Sequence, residues 1–205
     1  VNGYYRVFVM TAQGVLSAPA GNIVTISVHP ASQATTTTST TVGVRVQTLD
    51  QSASTFGSGC RSVNSSTVMG QLFTARESGP LSRVSLGIFK IMTVTQVTAS
   101  IYASNGTGAV GSALASKTVL GSAVAAYSGC NAQVAMVNFD FATPVSVVSG
   151  SNYIIVLTTP DMYTMFSGGD FLWSLAVGPT SGAVQSPVSS PSPYSHSFVF
   201  ETYVD

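Results

Sequence analysis

The sequence predicts an all-β protein, an antiparallel β-sandwich with a jelly-roll-like number of strands behind an N-terminal hairpin, and three observations predict it. Apolar residues recur with a period of two through most of the chain, which is the mark of a half-buried strand. Clusters of Gly, Ser and Asn interrupt the pattern roughly every ten residues, as turns do. Helix-favouring Glu and Lys are nearly missing from 205 residues that hold only 7 acidic and 7 basic side chains, and no window shows an apolar period near 3.6.

Taken in order, residues 1–30 read as the hairpin, 31–41 as a linker and 42–205 as the sandwich. The linker, Ala31-Ser-Gln-Ala-Thr-Thr-Thr-Thr-Ser-Thr-Thr41, is low in complexity and follows Pro30. Thr is β-branched, so a solvent-facing strand is the alternative there. In the sandwich Val84, Leu86 and Ile88 alternate with Ser85 and Gly87, and Val97, Ala99 and Ile101 with Thr98 and Ser100. Val137, Phe139 and Phe141 form a third stripe, Tyr153, Ile155 and Leu157 a fourth, Phe171, Trp173 and Leu175 a fifth, and Phe198 and Phe200 close the set. With turns such as Ser104-Asn-Gly-Thr-Gly108 and Ser149-Gly-Ser-Asn152, this gives about eight strands after the linker. Ser186-Pro-Val-Ser-Ser-Pro-Ser-Pro193 reads as an exposed extended loop, because proline donates no backbone N–H to a ladder. Its Ser-Pro repeats are similar to O-glycosylated wall-protein motifs.

Composition narrows the function. Charged residues make up 7% of the chain, against about 25% in an ordinary soluble domain, so general acid/base and metal chemistry lack their usual side chains. No Gly-x-Ser-x-Gly elbow is present, Gly57-Ser-Gly59 lacks the Lys of a phosphate loop, and His29 and His196 stand far apart in sequence. Neither a catalytic constellation nor a cofactor site is expected. A net charge of zero with dispersed basic residues leaves no cationic stripe for nucleic acid. The longest apolar run, Tyr153-Ile-Ile-Val-Leu157, falls far short of the ~20 residues of a membrane span.

Cys60 and Cys130 have neither a second Cys nor a His at zinc-ligand spacing, and both sit in Gly/Ser sequence that reads as turns, so a disulfide between them is expected. The sequons Asn64-Ser-Ser and Asn105-Gly-Thr point to the same oxidising, secretory compartment. The chain starts Val-Asn-Gly, which reads as a processed portion of a larger precursor. Pro160–Asp170 is the one candidate ligand loop, bringing Asp161, Tyr163 and Asp170 among flexible glycines. Two Asp without Asx spacing fall short of the about six to eight oxygens that calcium takes, so a solvated loop is the plainer reading. Trp173, the single tryptophan, could stack a sugar ring, yet its alternation with Phe171 and Leu175 places it on a core stripe.

Two resemblances add to this reading. Gly3-Tyr-Tyr-Arg-Val-Phe-Val-Met-Thr-Ala-Gln-Gly-Val-Leu-Ser-Ala-Pro19, followed by Asn22-Ile-Val-Thr-Ile-Ser-Val28, resembles the last hairpin of the C-terminal immunoglobulin-like domain of galactose oxidase and glyoxal oxidase proteins, with Leu16 where that family usually has proline. In that family a Gly-Tyr-Tyr/Trp strand, an Ala-Gln-Gly-Val-Pro-Ser turn and an Ile/Val-rich final strand end the fold, and the copper-binding tyrosines and histidines lie upstream of this hairpin. None of them maps onto a residue here, so the resemblance implies ancestry without copper radical oxidase activity. Over residues 67–205, Gln71-Leu-Phe-Thr-Ala75, Leu81-Ser-Arg-Val-Ser-Leu86, Ser100-Ile-Tyr102, Gly111-Ser-Ala-Leu114 and Ser149-Gly-Ser-Asn-Tyr-Ile-Ile-Val-Leu157 follow the order seen in choice-of-anchor type β-sandwiches of secreted surface proteins, a likeness that brings no catalytic residues.

Together these features lead us to expect an extracellular or cell-surface structural glycoprotein, part of a layer, fibre or appendage, which associates with itself or with other surface glycoproteins through the N-terminal hairpin. The alternatives are a carbohydrate-binding module of a wall-acting protein and a non-catalytic C-terminal fragment of a copper radical oxidase-like precursor.

Overall fold

A computed structural model describes residues 7–11, 14–18, 46–130, 136–162, 169–177 and 182–205. The chain divides into two compact units, Val1–Gly43 and Val44–Asp205. The linker 31–41 lies outside the described residues.

In the first unit β1 (Val7–Thr11) and β2 (Gly14–Ala18) pair antiparallel, from Val7 opposite Ala18 to Thr11 opposite Gly14. This tightens the predicted hairpin: Gly14 to Ser17, expected within a turn, are strand. The expected second strand over 22–28 lies outside the described residues.

The second unit is an all-β sandwich. Its strands are β3 (Thr48–Ala53), β4 (Phe56–Val63), β5 (Met69–Thr74), β6 (Gly79–Leu86), β7 (Ile88–Ile91), β8 (Gln96–Ser104) and β9 (Ala109–Leu120), then β10 (Val137–Val147), β11 (Asn152–Thr158), β12 (Asp170–Ala176), β13 (Ala183–Gln185), β14 (Ser192–Pro193) and β15 (Phe200–Val204). They form a four-stranded sheet ordered β10-β6-β15-β3, a six-stranded sheet ordered β14-β13-β5-β11-β8-β9, and a three-stranded sheet ordered β4-β12-β7. All pairings between these strands are antiparallel. Thirteen strands replace the expected eight or so. The additional ones carry no apolar stripe: β4 is rich in Gly and Ser, β9 is mostly exposed, and β13 and β14 are only three and two residues long. Gly57, Gly59 and Cys60, which read as turn sequence, lie within β4.

Every predicted stripe enters one core. Leu86, Ile88, Ile101, Phe139, Ile155, Leu157, Phe171, Trp173, Phe198 and Phe200 belong to a single buried cluster that draws on all three sheets. The chain passes from β6 into β7 at Gly87, whose N–H donates to the Val199 carbonyl at 3.1 Å and whose carbonyl accepts from Ser174 N–H at 2.9 Å. The four- and three-stranded sheets are thereby stitched together.

A smaller buried cluster, Ile154, Val156 and Val184, lies on the opposite face of β11. The reading of 186–193 as an exposed extended loop fits residues 188–193, which are exposed, and fails at Pro187. Pro187 is buried, its carbonyl accepts from Ala109 N–H at 2.9 Å, and Gly108 comes so close to Pro191 that any side chain there would collide with it. Pro193 sits in the outermost strand of the six-stranded sheet, opposite Val184, where a missing N–H costs no ladder bond.

Candidate functional site

Of the residues singled out around the predicted ligand loop, Asp161, Asp170 and Trp173 are described and residues 163–168 are not. Trp173 is fully buried, stacks on Phe198 with ring centroids 4.4 Å apart and planes at 12°, and donates its indole N–H to the Val199 carbonyl at 3.0 Å. A ring enclosed in this way offers no face to a sugar. The carboxylate of Asp161 accepts from Thr95 N–H at 2.8 Å, from the Thr95 hydroxyl at 3.0 Å, from the Thr159 hydroxyl at 3.0 Å and from Gln96 N–H at 3.4 Å. Its own carbonyl accepts from Ser65 N–H at 2.7 Å. Burial alone would raise the pKa of Asp161, but these bonds, led by those of Thr95, outweigh it and hold the carboxyl below its ordinary value. Asp161 therefore ties the segment after β11 to the start of β8.

Asp170 opens β12 and is buried; its Oδ1 and the Oγ of Ser174 have no hydrogen-bond partner among the described residues. Tyr163 lies outside the described residues, as does His29. Among the described residues no three His, Cys, Asp or Glu side chains gather where a metal ion could be held, and no helix is long and apolar enough to cross a membrane.

Cys60 and Cys130 form a disulfide across 70 residues of sequence, with Cα atoms 5.4 Å apart. It joins β4 to the segment that follows the 3₁₀ turn Gly121–Ala123. The two sequons share one local geometry. Asn64 Oδ1 accepts from the N–H and hydroxyl of Ser66 at 3.0 and 2.8 Å. Asn105 Oδ1 accepts from the N–H and hydroxyl of Thr107 at 3.0 and 2.9 Å, and from Gly108 N–H at 3.1 Å. Each is an Asx turn that fixes the carboxamide oxygen, and Asn105 stands exposed between β8 and β9.

Two further features were not legible as sites. One is an open cleft of about 430 Å³ with no charged residue in its lining, where Gln51, Thr74, Asn152 and Tyr194 surround a floor that includes Phe73 and Phe200. Gln51 Nε2 donates to the Thr74 carbonyl at 2.7 Å and the Thr74 hydroxyl to Asn152 Oδ1 at 2.8 Å, so the rim is held in place. Such a lining can exchange hydrogen bonds with a neutral polar ligand.

The other is the edge strand β9. It is the longest of the described strands, among the described residues it pairs only with β8, and β10 lies alongside without joining its sheet. The register runs unbroken from Gln96 opposite Leu120 to Ile101 opposite Ala115, then shifts beyond Ala115, where Gly111 adopts a φ of 72°. Val110, Leu114 and Leu120 are about half exposed or more, and Lys117 is the single charge.

Asp50 also escaped sequence reading. Buried between strands, it accepts from the N–H groups of Arg76 and Glu77 at 2.8 and 2.9 Å and from the Thr202 hydroxyl at 3.1 Å. Three partners that distant in sequence leave no local signal. No protein-family model and no curated protein matches this chain.

Proposed function

We propose that this chain is an extracellular structural protein whose sandwich is the building block of a surface layer or fibre, with copies joined by strand addition through the N-terminal hairpin. The observation that carries this reading is the two-stranded β1–β2 sheet, to whose outer edges nothing pairs among the described residues. A lone two-stranded ribbon is marginal in water, and its bare edges are templates for another strand. Backbone pairing needs no charged side chains, which suits a chain so poor in them. The disulfide and the two Asx-turn sequons support an oxidising, extracellular setting. Sedimentation of the full chain over a range of concentrations tests the proposal, with Val9→Pro, which breaks the pair Val9 opposite Leu16, as the control that should no longer associate.

The uncharged cleft favours a second reading, a carbohydrate-binding module, because fixed amides beside apolar ring edges suit neutral hydroxyl-rich ligands. Titration with neutral oligosaccharides, followed by amide shifts at Gln51 and Asn152, separates the two.

A further inference from the structure

We infer that the uncharged cleft over Phe73 and Phe200 is the docking site of the chain's own glycan on Asn105, and that it holds the first N-acetylhexosamine units of that glycan. The inference rests on the carbohydrate reading of the cleft and goes beyond it by naming the occupant.

The sequon and the cleft share a lip. Gly106, the second residue of Asn105-Gly-Thr, lines the cleft, and a side chain built on it would begin 4.0 Å from Nδ2 of Asn152, another lining residue. Strand register brings the two together. Asn152 opens β11, Tyr153 beside it pairs with Ala103 near the end of β8, and the Asn105 turn follows Ser104 at once. The turn is braced: Asn105 Oδ1 accepts from the N–H groups of Thr107 and Gly108, the Ser104 hydroxyl donates to the Gly108 carbonyl at 2.7 Å, and Ala109 N–H donates to the Pro187 carbonyl at 2.9 Å. These bonds occupy the carboxamide oxygen and leave Nδ2 of the exposed Asn105, the atom that carries a glycan, outside them. A glycan there starts one residue from the cleft wall. The other sequon lies elsewhere, since the Asn64 turn is bonded through Ser65 N–H to the Asp161 carbonyl, beyond the far end of β11.

The lining suits this occupant. Gln51 commits its Nε2 to the Thr74 carbonyl and Asn152 its Oδ1 to the Thr74 hydroxyl, and among the described residues Gln51 Oε1 and Asn152 Nδ2 make no hydrogen bond. One acceptor and one donor therefore remain, complementary to the N–H and C=O of a sugar acetamide. No lining charge selects for an ionic ligand. An open cleft with so few polar groups binds a free sugar weakly, but a short flexible tether holds its ligand at an effective concentration of about 1 mM. A site whose Kd is itself about 1 mM is then filled about half of the time.

The test compares the full chain secreted by a eukaryotic host with the same chain from a host that adds no glycan, so that the two differ in glycan alone. Amide resonances of Gln51, Thr74 and Asn152 should differ between them. In the eukaryotic host Ser66→Ala, which removes the Asn64 sequon, should keep the glycosylated positions at Gln51 and Asn152. Thr107→Ala, which removes the Asn105 sequon but keeps the backbone donors to Asn105 Oδ1, should return them to the unglycosylated ones. Di-N-acetylchitobiose at about 10 mM, some ten times the tethered concentration, should move the same amides in the unglycosylated chain, and the glycosylated chain should bind it at least about twofold more weakly. Identical amides in the two glycoforms, or equal affinity for the disaccharide, would overturn occupancy by the chain's own glycan and leave the cleft a carbohydrate site. A eukaryotic product whose mass shows no glycan at Asn105 overturns the inference in the same way. If the disaccharide moves no cleft amide in the unglycosylated chain, the carbohydrate reading itself falls and the inference with it.

Discussion

Replacing Trp173 separates a core residue from a ligand platform. The indole is fully buried against Phe198, and its N–H shares the Val199 carbonyl with Gly87 N–H, at 3.0 and 3.1 Å. In Trp173→Phe that carbonyl keeps one donor, so the lost hydrogen bond should cost only about 1 kcal/mol. The smaller ring leaves a partial void that adds about 1–2 kcal/mol. The total, about 2–3 kcal/mol, corresponds to a fall of about 5–10 °C in melting temperature for a chain of this size. Trp173→Ala also loses the stack on Phe198 and should cost about 3–5 kcal/mol. Thermal unfolding followed by near-UV circular dichroism measures both. Because the chain has a single tryptophan, its fluorescence reports on this site alone, and native emission should be blue-shifted and shielded from iodide. Red-shifted, readily quenched emission, or a Trp173→Ala variant that melts with the wild type but loses binding to an oligosaccharide, would refute the core assignment.

Three other outcomes follow from the same structure. Cys60→Ser with Cys130→Ser should lower stability by about 4 kcal/mol in the chain-entropy account, and native unreduced protein should yield no alkylatable thiol by peptide mapping. Asp161 has a depressed folded pKa, so its contribution is present above its ordinary value of 3.8 and is lost as pH falls through the folded value. In urea titrations Asp161→Asn should therefore be less stable than wild type near neutrality, with the gap closing in acid below that range; a gap that widens in acid contradicts the bonding described. Expressed in a eukaryotic secretory system, the protein should carry glycan at Asn105 and Asn64, seen as a mass loss on glycosidase treatment, and an unchanged mass at both sites would remove that support for the extracellular setting.

The core was legible because half-buried strands write their burial into alternate residues. Val84, Phe139, Ile155 and Trp173 all lie where their stripes placed them. The run Tyr153–Leu157 carried more information than its stripe: consecutive apolar residues imply that both faces are covered, and Ile154 and Val156 are indeed covered, in a cluster with Val184 against which Val68, Leu72, Tyr102 and Ala109 pack. β9 left no stripe because an edge strand packs few of its side chains, and β4 left none because Gly and Ser dominate it. Asp50 acts through partners brought near only by the fold, and Asp161 and Gln71 act largely through such partners. Gln71, for example, accepts from Phe198 N–H at 2.7 Å across 127 residues. Residues 163–168 of the candidate loop lie outside the described residues, whereas the disulfide was legible because the chain holds two cysteines in all.

Sedimentation velocity of the full chain beside Val9→Pro tests assembly through the hairpin most directly. The account predicts mass that rises with concentration in the wild type and a monomer of about 21 kDa throughout in the variant, with equal melting of the sandwich in both. A wild type that stays monomeric, or a variant that associates equally well, would contradict it.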